Sequence, residues 1–143
     1  MKANSRIRPA AKFFFDGDTK FFVKGVTYGP FKPDADGNYV GWPEQVAADL
    51  ALMREAGVNV VRIYHSPPRW FLDRCAVAGM RVLVTLPWEK HIEFLRKRST
   101  RKQISENVRA AVKTHAGHPA IFGYLVGNEI SSTMARWLGT SRV

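Results

Sequence analysis

An amide and a carboxylate follow directly on an apolar segment late in the 143-residue chain. Residues 120–126 have the composition of a β-strand that is buried on both faces, and Asn128 and Glu129 come after Gly127. In α/β folds, active sites lie at the carboxyl ends of parallel strands. Asn128 could bind a ligand through hydrogen bonds, and Glu129 could act as a general acid or base. A loop glutamate after a core strand would look the same, so position alone leaves both interpretations open.

Further side chains that suit a saccharide site occur at the ends of other apolar segments. They are Tyr28, Arg62, Tyr64, His65 and Trp88. Aromatic rings stack on the C–H faces of sugars, and planar polar groups bond hydroxyls in fixed directions. Each ring taken singly is more typical of a core, so the prediction depends on their coincidence at one edge. Glu89 could be a second carboxyl beside Glu129, although a solvated loop acid is the simpler interpretation.

The elements that must position these residues alternate between strand and helix. Two apolar runs around Asp16-Gly17-Asp18 predict a β-hairpin that begins at Phe13. Apolar residues at helical spacing predict helices that begin near Trp42 and Pro67, and a third that contains Ile104. Strands are predicted before, between and after these helices, over residues 21–28, 58–64, 80–86 and 120–126. This order requires a parallel sheet, and both a doubly wound sheet and a (β/α)₈ barrel fit it.

Composition and motifs disfavour several classes of function. The net charge of +10 arises largely from a basic stretch over residues 90–102, for which a solvated helix face is favoured over a nucleic-acid site. We expect no metal, because the histidines lack ligand spacing, and no cofactor, because no phosphate-binding glycine motif is present. Cys75 is expected to be a buried thiol. Neither a membrane span nor a signal segment is evident, so a cytoplasmic location is the default expectation.

The chain resembles the retaining glycoside hydrolases with (β/α)₈ barrels, and most closely the barrel domain of glycoside hydrolase family 2. The matching segments are residues 22–28, 49–62, 72–82 and 118–129. The resemblance implies an α/β fold that forms a partial (β/α)₈ (TIM) barrel, in which an N-terminal β-hairpin precedes about four βα units. Residues 13–143 would be the N-terminal half of a TIM-barrel glycoside hydrolase domain, after a flexible basic segment over residues 1–12.

The resemblance also implies the chemistry. Glu129 would be the general acid/base, Asn128 would contact the sugar 2-hydroxyl, and Arg62 would support the catalytic carboxylates. The implied activity is retaining hydrolysis or transglycosylation of a β-linked oligo- or polysaccharide. The family nucleophile, a glutamate after the seventh strand, has no counterpart. We therefore expect a fragment that is inactive unless a complementary half-barrel or a homodimer completes it.

Two alternatives remain open at this stage. One is a non-catalytic carbohydrate-binding or vestigial half-barrel, which would retain sugar affinity without turnover. The other is an α/β domain that binds anions or nucleic acid, for which affinity would decrease steeply with salt. The favoured prediction includes neither nucleic acid nor a membrane as a partner.

Overall fold

The computed structural model describes residues 6–86, 97–128 and 132–138. Three strands form an antiparallel sheet, in the order β1 (Arg8–Ala10), β2 (Phe13–Asp16) and β3 (Thr19–Phe21). Four strands form a parallel sheet, in the order β4 (Gly25–Thr27), β5 (Val60–Ile63), β6 (Arg81–Thr85) and β7 (Ile121–Leu125). The helices are α1 (Pro43–Glu55), α2 (Arg69–Val77), α3 (Arg98–His115) and α4 (Ser132–Leu138). No helix within these ranges is both long and apolar enough to cross a membrane.

The predicted hairpin is confirmed as β2 and β3, which pair around a turn with Gly17 at a φ of 59°. Its second apolar run does not continue as one strand, because β3 ends at Phe21 and β4 begins at Gly25 in the other sheet. The strand β1 was not predicted. It lies within the segment assigned to a flexible N-terminus, and Pro9 is tolerated there because, in the described part of the chain, β1 is an edge strand that pairs with β2 alone.

Local sequence signals explain the bounds of the first two helices. In α1, Pro43 occupies the first turn after Trp42, and Gly57 follows the helix with a φ of 79°. The apolar spacing of α2 buries Phe71 and Cys75, so the expected buried thiol is confirmed. The described part of the basic stretch forms the exposed first turns of α3, as expected for a solvated helix face.

The order of the parallel sheet distinguishes between the two folds that the sequence allowed. Val61, Ile63, Val82 and Val84 lie on one face, in a single core that also contains side chains of α1, α2 and α3. Helices therefore cover one face of a sheet whose strands follow chain order. This arrangement is typical of successive βα units in a barrel, whereas a doubly wound sheet carries helices on both faces.

The antiparallel sheet is attached to the amino end of the parallel sheet. Arg81, the first residue of β6, donates hydrogen bonds to the Pro119 carbonyl and, at 3.0 Å, to the Asp16 carboxylate. The Phe122 ring at the start of β7 contacts the Phe14 ring, with centroids 4.9 Å apart. These contacts leave the opposite, carboxyl end of the parallel strands to the candidate site.

Candidate functional site

Arg62 makes three contacts at the carboxyl end of the parallel sheet. Its Nε donates to Thr85 Oγ1 at 3.2 Å, and its Nη2 donates to Asn128 Oδ1 at 2.6 Å. The guanidinium carbon lies 4.6 Å from the centroid of the Tyr64 ring, within the range of a cation–π contact. Arg62 therefore joins the ends of β5, β6 and β7, and it brings together three of the residues that the sequence predicted for the site.

The contact with Arg62 fixes the orientation of the Asn128 amide. A guanidinium group has only donors, so the atom of Asn128 that faces it must be the oxygen. The Nδ2 group then points elsewhere, and it has no hydrogen-bond partner among the described residues. Because a bond to a charged donor is stronger than a neutral one, this orientation is well held. Among the described residues, Asn128 thus offers an unpaired N–H donor at the edge of the sheet.

Two residues of the site were missed by the sequence analysis. Thr85 is buried and accepts the bond from Arg62. It is the polar residue at the end of an apolar strand, on the same sheet face as Arg62, and that parity was the available signal. Tyr39 stacks on His65 with ring centroids 4.1 Å apart and an angle of 20° between the planes. It lies in a polar loop, where no periodic pattern marks a binding residue.

The structure does not place Tyr28 at this site, and the expectation that it contacts substrate is corrected. Its side chain is buried on the helix-covered face, where the hydroxyl donates to Asp49 Oδ2 at 2.7 Å and the ring lies against Phe31 and Phe71. Burial, followed by the bond to Asp49, raises the pKa of Tyr28. Thr27 pairs with Arg62 on the inner face, so its neighbour must face the helices.

The remaining predicted site residues, Glu129 and Trp88, lie outside the described residues, as does Glu89. Asn128, the residue before Glu129 in the chain, is held at the carboxyl end of the sheet by its bond to Arg62. The assignment of Glu129 as general acid/base therefore stays a prediction.

Two histidines near the start of β7 make side-chain contacts with α2 and with the residues just before it. His118 Nδ1 accepts from the Ala120 N–H, so its Nε2 carries the proton and donates to Asp73 Oδ1 at 3.0 Å. His115 Nε2 lies 2.7 Å from Ser66 Oγ. Burial, with a smaller contribution from His118, lowers the pKa of His115. Within the described ranges no group of three or more His, Cys, Asp or Glu residues could hold a metal ion.

A cavity of about 890 Å³ opens between α1 and α2, away from the sheet edge. Its lining combines the apolar side chains of Leu50, Trp70 and Val77 with charged residues at the carboxyl ends of both helices. Because those ends lie beside the amino edge of the sheet, the cavity contains none of the groups that surround Arg62.

The family model described as glucanosyltransferase, glycoside hydrolase family 72, matches residues 2–138. The chain belongs to glycoside hydrolase family 72. The finer resemblance to family 2 was therefore wrong, although the assignment to a glycoside hydrolase was correct. Family 72 is a family of glycoside-hydrolase-type enzymes, in agreement with the predicted class.

Curated relatives support this membership of family 72. The chain is 32% identical over 136 residues to the 1,3-beta-glucanosyltransferase GAS4 of Saccharomyces cerevisiae, with 83% of this chain and 28% of that protein covered. It is 27% identical over 138 residues to the probable 1,3-beta-glucanosyltransferase GAS3 of the same yeast, with 87% and 26% covered. The chain thus spans about a quarter of the length of the curated relatives that it matches.

Solved structures support the fold. A crystal structure of Gas2 in complex with a small compound superposes with a TM-score of 0.67 at 24% identity, with 89% of this chain and 32% of that chain covered. A structure of Gas2p of Saccharomyces cerevisiae in complex with laminaripentaose has a TM-score of 0.59 at 20% identity, with 84% and 30% covered. The α/β fold of this family 72 chain is therefore similar to that of Gas2.

Proposed function

We propose that this chain forms the amino-terminal half of a (β/α)₈ barrel that cleaves a β-1,3-glucan and transfers the released end to a second glucan chain or to water. Membership of family 72, and relatives named 1,3-beta-glucanosyltransferases, support the reaction class and the linkage. The laminaripentaose bound by Gas2p supports the substrate. The single observation that carries the proposal is the bond between Arg62 and Asn128 at the carboxyl end of the parallel sheet, one residue before Glu129.

The proposed reaction has two steps with balanced proton transfers. A carboxylate nucleophile forms a bond with the anomeric carbon while the glycosidic bond breaks, and Glu129 gives its proton to the leaving oxygen. An acceptor hydroxyl, from glucan or water, then loses its proton to Glu129 and bonds the anomeric carbon as the carboxylate leaves. The free Nδ2 of Asn128 would donate to a hydroxyl of the sugar unit at the point of cleavage. No described acidic side chain contacts Arg62 or Asn128, so we place the nucleophile outside the described residues.

Arg62 has a positioning role in this proposal. It holds the oxygen of Asn128, and Thr85 in turn holds its Nε, so the guanidinium group cannot rotate freely. A positive charge near a carboxyl lowers the pKa of that carboxyl, whereas a general acid needs a raised one. A second carboxylate beside Glu129 would raise the pKa of Glu129 again, because two like charges cannot both ionise easily at short distance. We therefore expect turnover only when a complementary half-barrel supplies that group.

The test is product analysis after incubation with laminaripentaose. Transfer yields oligosaccharides that are longer and shorter than the pentaose, whereas hydrolysis yields only shorter ones. In the presence of a complementary half-barrel, Glu129→Gln should abolish both, and Glu106→Gln, which changes an exposed glutamate on α3, should have no effect. If the unmodified chain gives no products even with a complementary half-barrel, and Glu129→Gln binds the pentaose equally well, the chain is a saccharide-binding module and not part of an enzyme.

The charge-based alternative is tested in the same samples. Binding that decreases steeply with salt would indicate an anion or nucleic-acid site, because phosphate contacts release counterions. Stacking and amide hydrogen bonds to a neutral glucan depend on salt only weakly.

A further inference from the structure

The loop between β4 and α1 has a fixed shape. The Phe31 N–H donates to the Tyr39 carbonyl and the Asp34 N–H donates to the Asn38 carbonyl, each at 3.0 Å. The Asp34 carboxylate accepts bonds from the backbone and side chain of Asn38 at 2.8–3.2 Å. The side-chain bond from Asn38, together with backbone N–H groups, lowers the pKa of Asp34, so this carboxylate stays ionised. The loop is therefore a preorganised surface at the carboxyl edge of the sheet.

A cavity of about 130 Å³ lies between this loop and the first turn of α1. Phe31, Asn38, Gly41, Trp42 and Gln45 contribute to its wall. Gly41 has a φ of 82°, and a Cβ there would meet Gln45 Oε1 at 3.4 Å and the Phe31 ring at 3.7 Å. The positive φ favours glycine here, and a Cβ would make ordinary contacts with the amide and the ring.

Two of the side chains around this cavity, Trp42 and Gln45, have no evident role in the fold. Trp42 precedes α1 and is 63% exposed, although a large aromatic residue usually becomes buried. The Gln45 carboxamide has no hydrogen-bond partner among the described residues, so both its donor and its acceptor are free. Lys32 and Asp34 carry opposite charges at the rim, which favours a neutral ligand over an anion.

Aromatic side chains extend from the candidate site to the loop that lines this cavity. The Tyr64 ring lies under the Arg62 guanidinium, and His65 follows Tyr64 in the chain. The His65 ring stacks on Tyr39, which belongs to the same loop as Trp42. Aromatic side chains in these positions suit a polymer of sugars, because sugar units stack on exposed ring faces.

We propose that Trp42 and Gln45 form an outer saccharide subsite, which binds a glucosyl unit of the same β-1,3-glucan whose point of cleavage lies at Arg62 and Asn128. This inference rests on the proposed function and extends it, because it gives the chain a preference for longer substrates. Trp42 supplies the stacking surface, and Gln45 supplies a planar amide that orients the hydroxyls of that unit.

The test compares two probes, laminaritriose and laminarihexaose, by calorimetric titration of the full chain. Trp42→Ala should weaken hexaose binding about tenfold, equivalent to about 1.4 kcal/mol, and leave triose binding unchanged. Gln45→Ala should weaken hexaose binding by a smaller factor, and Trp42→Phe should restore part of the affinity. The matched control is Trp137→Ala on α4, because Trp137 is 80% exposed and should affect neither probe. Circular dichroism checks that each variant keeps its helix content.

The outcomes separate this inference from the function on which it rests. Asn128→Ala should weaken both probes, because both occupy the cleavage point. If Trp42→Ala binds the hexaose as tightly as the unmodified chain does, the outer subsite is refuted and the proposed function stands. Equal losses for triose and hexaose would also refute it, because an outer subsite cannot affect a ligand too short to reach it. If the unmodified chain binds neither probe, the proposed function fails, and the subsite fails with it.

Discussion

Replacement of Asp16 by asparagine should loosen the attachment between the two sheets. The Arg81 guanidinium is 2% exposed, and the Asp16 carboxylate accepts a hydrogen bond from its Nη2 at 3.0 Å. The other terminal nitrogen donates to the Pro119 carbonyl, at the start of the next strand unit. Asp16→Asn keeps the size of the side chain but leaves a buried cation with neutral partners. The variant therefore tests how much the carboxylate contributes to holding the hairpin.

The magnitude follows from the burial of the two partners. Removal of one partner of a fully buried pair costs about 3–5 kcal/mol. Because the Asp16 side chain is 40% exposed, water screens part of the attraction, and the asparagine oxygen still accepts a bond from Arg81. We therefore expect a decrease of about 1–2 kcal/mol in the free energy of unfolding. With a urea dependence of about 2 kcal/mol per molar, the midpoint should decrease by about 0.5–1 M.

The assay is urea unfolding followed by circular dichroism. Asp18→Asn is the matched control in the same turn, because Asp18 is fully exposed and lies 3.8 Å from Arg8, and its loss should leave the midpoint unchanged. If the two variants have the same midpoint, the Asp16 carboxylate stabilises the fold no more than the exposed Asp18 carboxylate does. That result would refute the reasoning.

Three further predictions follow from buried polar groups. Tyr28→Phe should cost about 1–2 kcal/mol in urea unfolding through the lost bond to Asp49, and leave laminarihexaose affinity unchanged. Weaker laminarihexaose binding by this variant would indicate that Tyr28 does contact the substrate. Burial raises the pKa of Cys75 to about 12, so the thiol should react with a thiol reagent at about pH 8 only after unfolding. Fast reaction of the native chain would contradict its burial. Burial lowers the pKa of His115, so the unfolded chain binds more protons below about pH 6.5 and stability decreases there. His115→Gln should flatten this decrease in thermal unfolding between about pH 7 and pH 5, and an unchanged slope would exclude His115 as its source.

The sequence predicted the elements whose signals are local. Proline and glycine bound α1, and the apolar segments that became β5, β6 and β7 needed only composition to be recognised. The change of sheet after Phe21 was not predicted, because it depends on a distant residue. The Asn59 side chain accepts from the Lys24 N–H at 2.8 Å and donates to the Phe22 carbonyl at 2.8 Å, so it satisfies the backbone between the two sheets. The composition of residues 21–28 cannot reveal a partner 35 positions away.

The candidate site was predictable where it depended on strand ends. Arg62, Tyr64 and Asn128 were identified in this way, and the structure brings them into contact. Tyr28 also follows a strand, but its N–H bonds the Arg62 carbonyl and thereby continues the ladder by one residue. That register turns its side chain toward the helices. Register between neighbouring strands is a property of pairing, which the sequence of one strand does not contain.

If the proposed function holds, glucan binding and glucan turnover should have different structural requirements. Helices cover one face of the parallel sheet, and Arg62 lies on the other, where within the described residues β4 and β7 each pair with one neighbouring strand only. Stacking and amide hydrogen bonds need groups that are already in place, such as Tyr64, Asn128 and Trp42. Retaining cleavage also needs a second carboxyl beside Glu129. A complementary half-barrel that closes the sheet should therefore raise the rate of glucan cleavage while leaving the contribution of Trp42 to affinity unchanged.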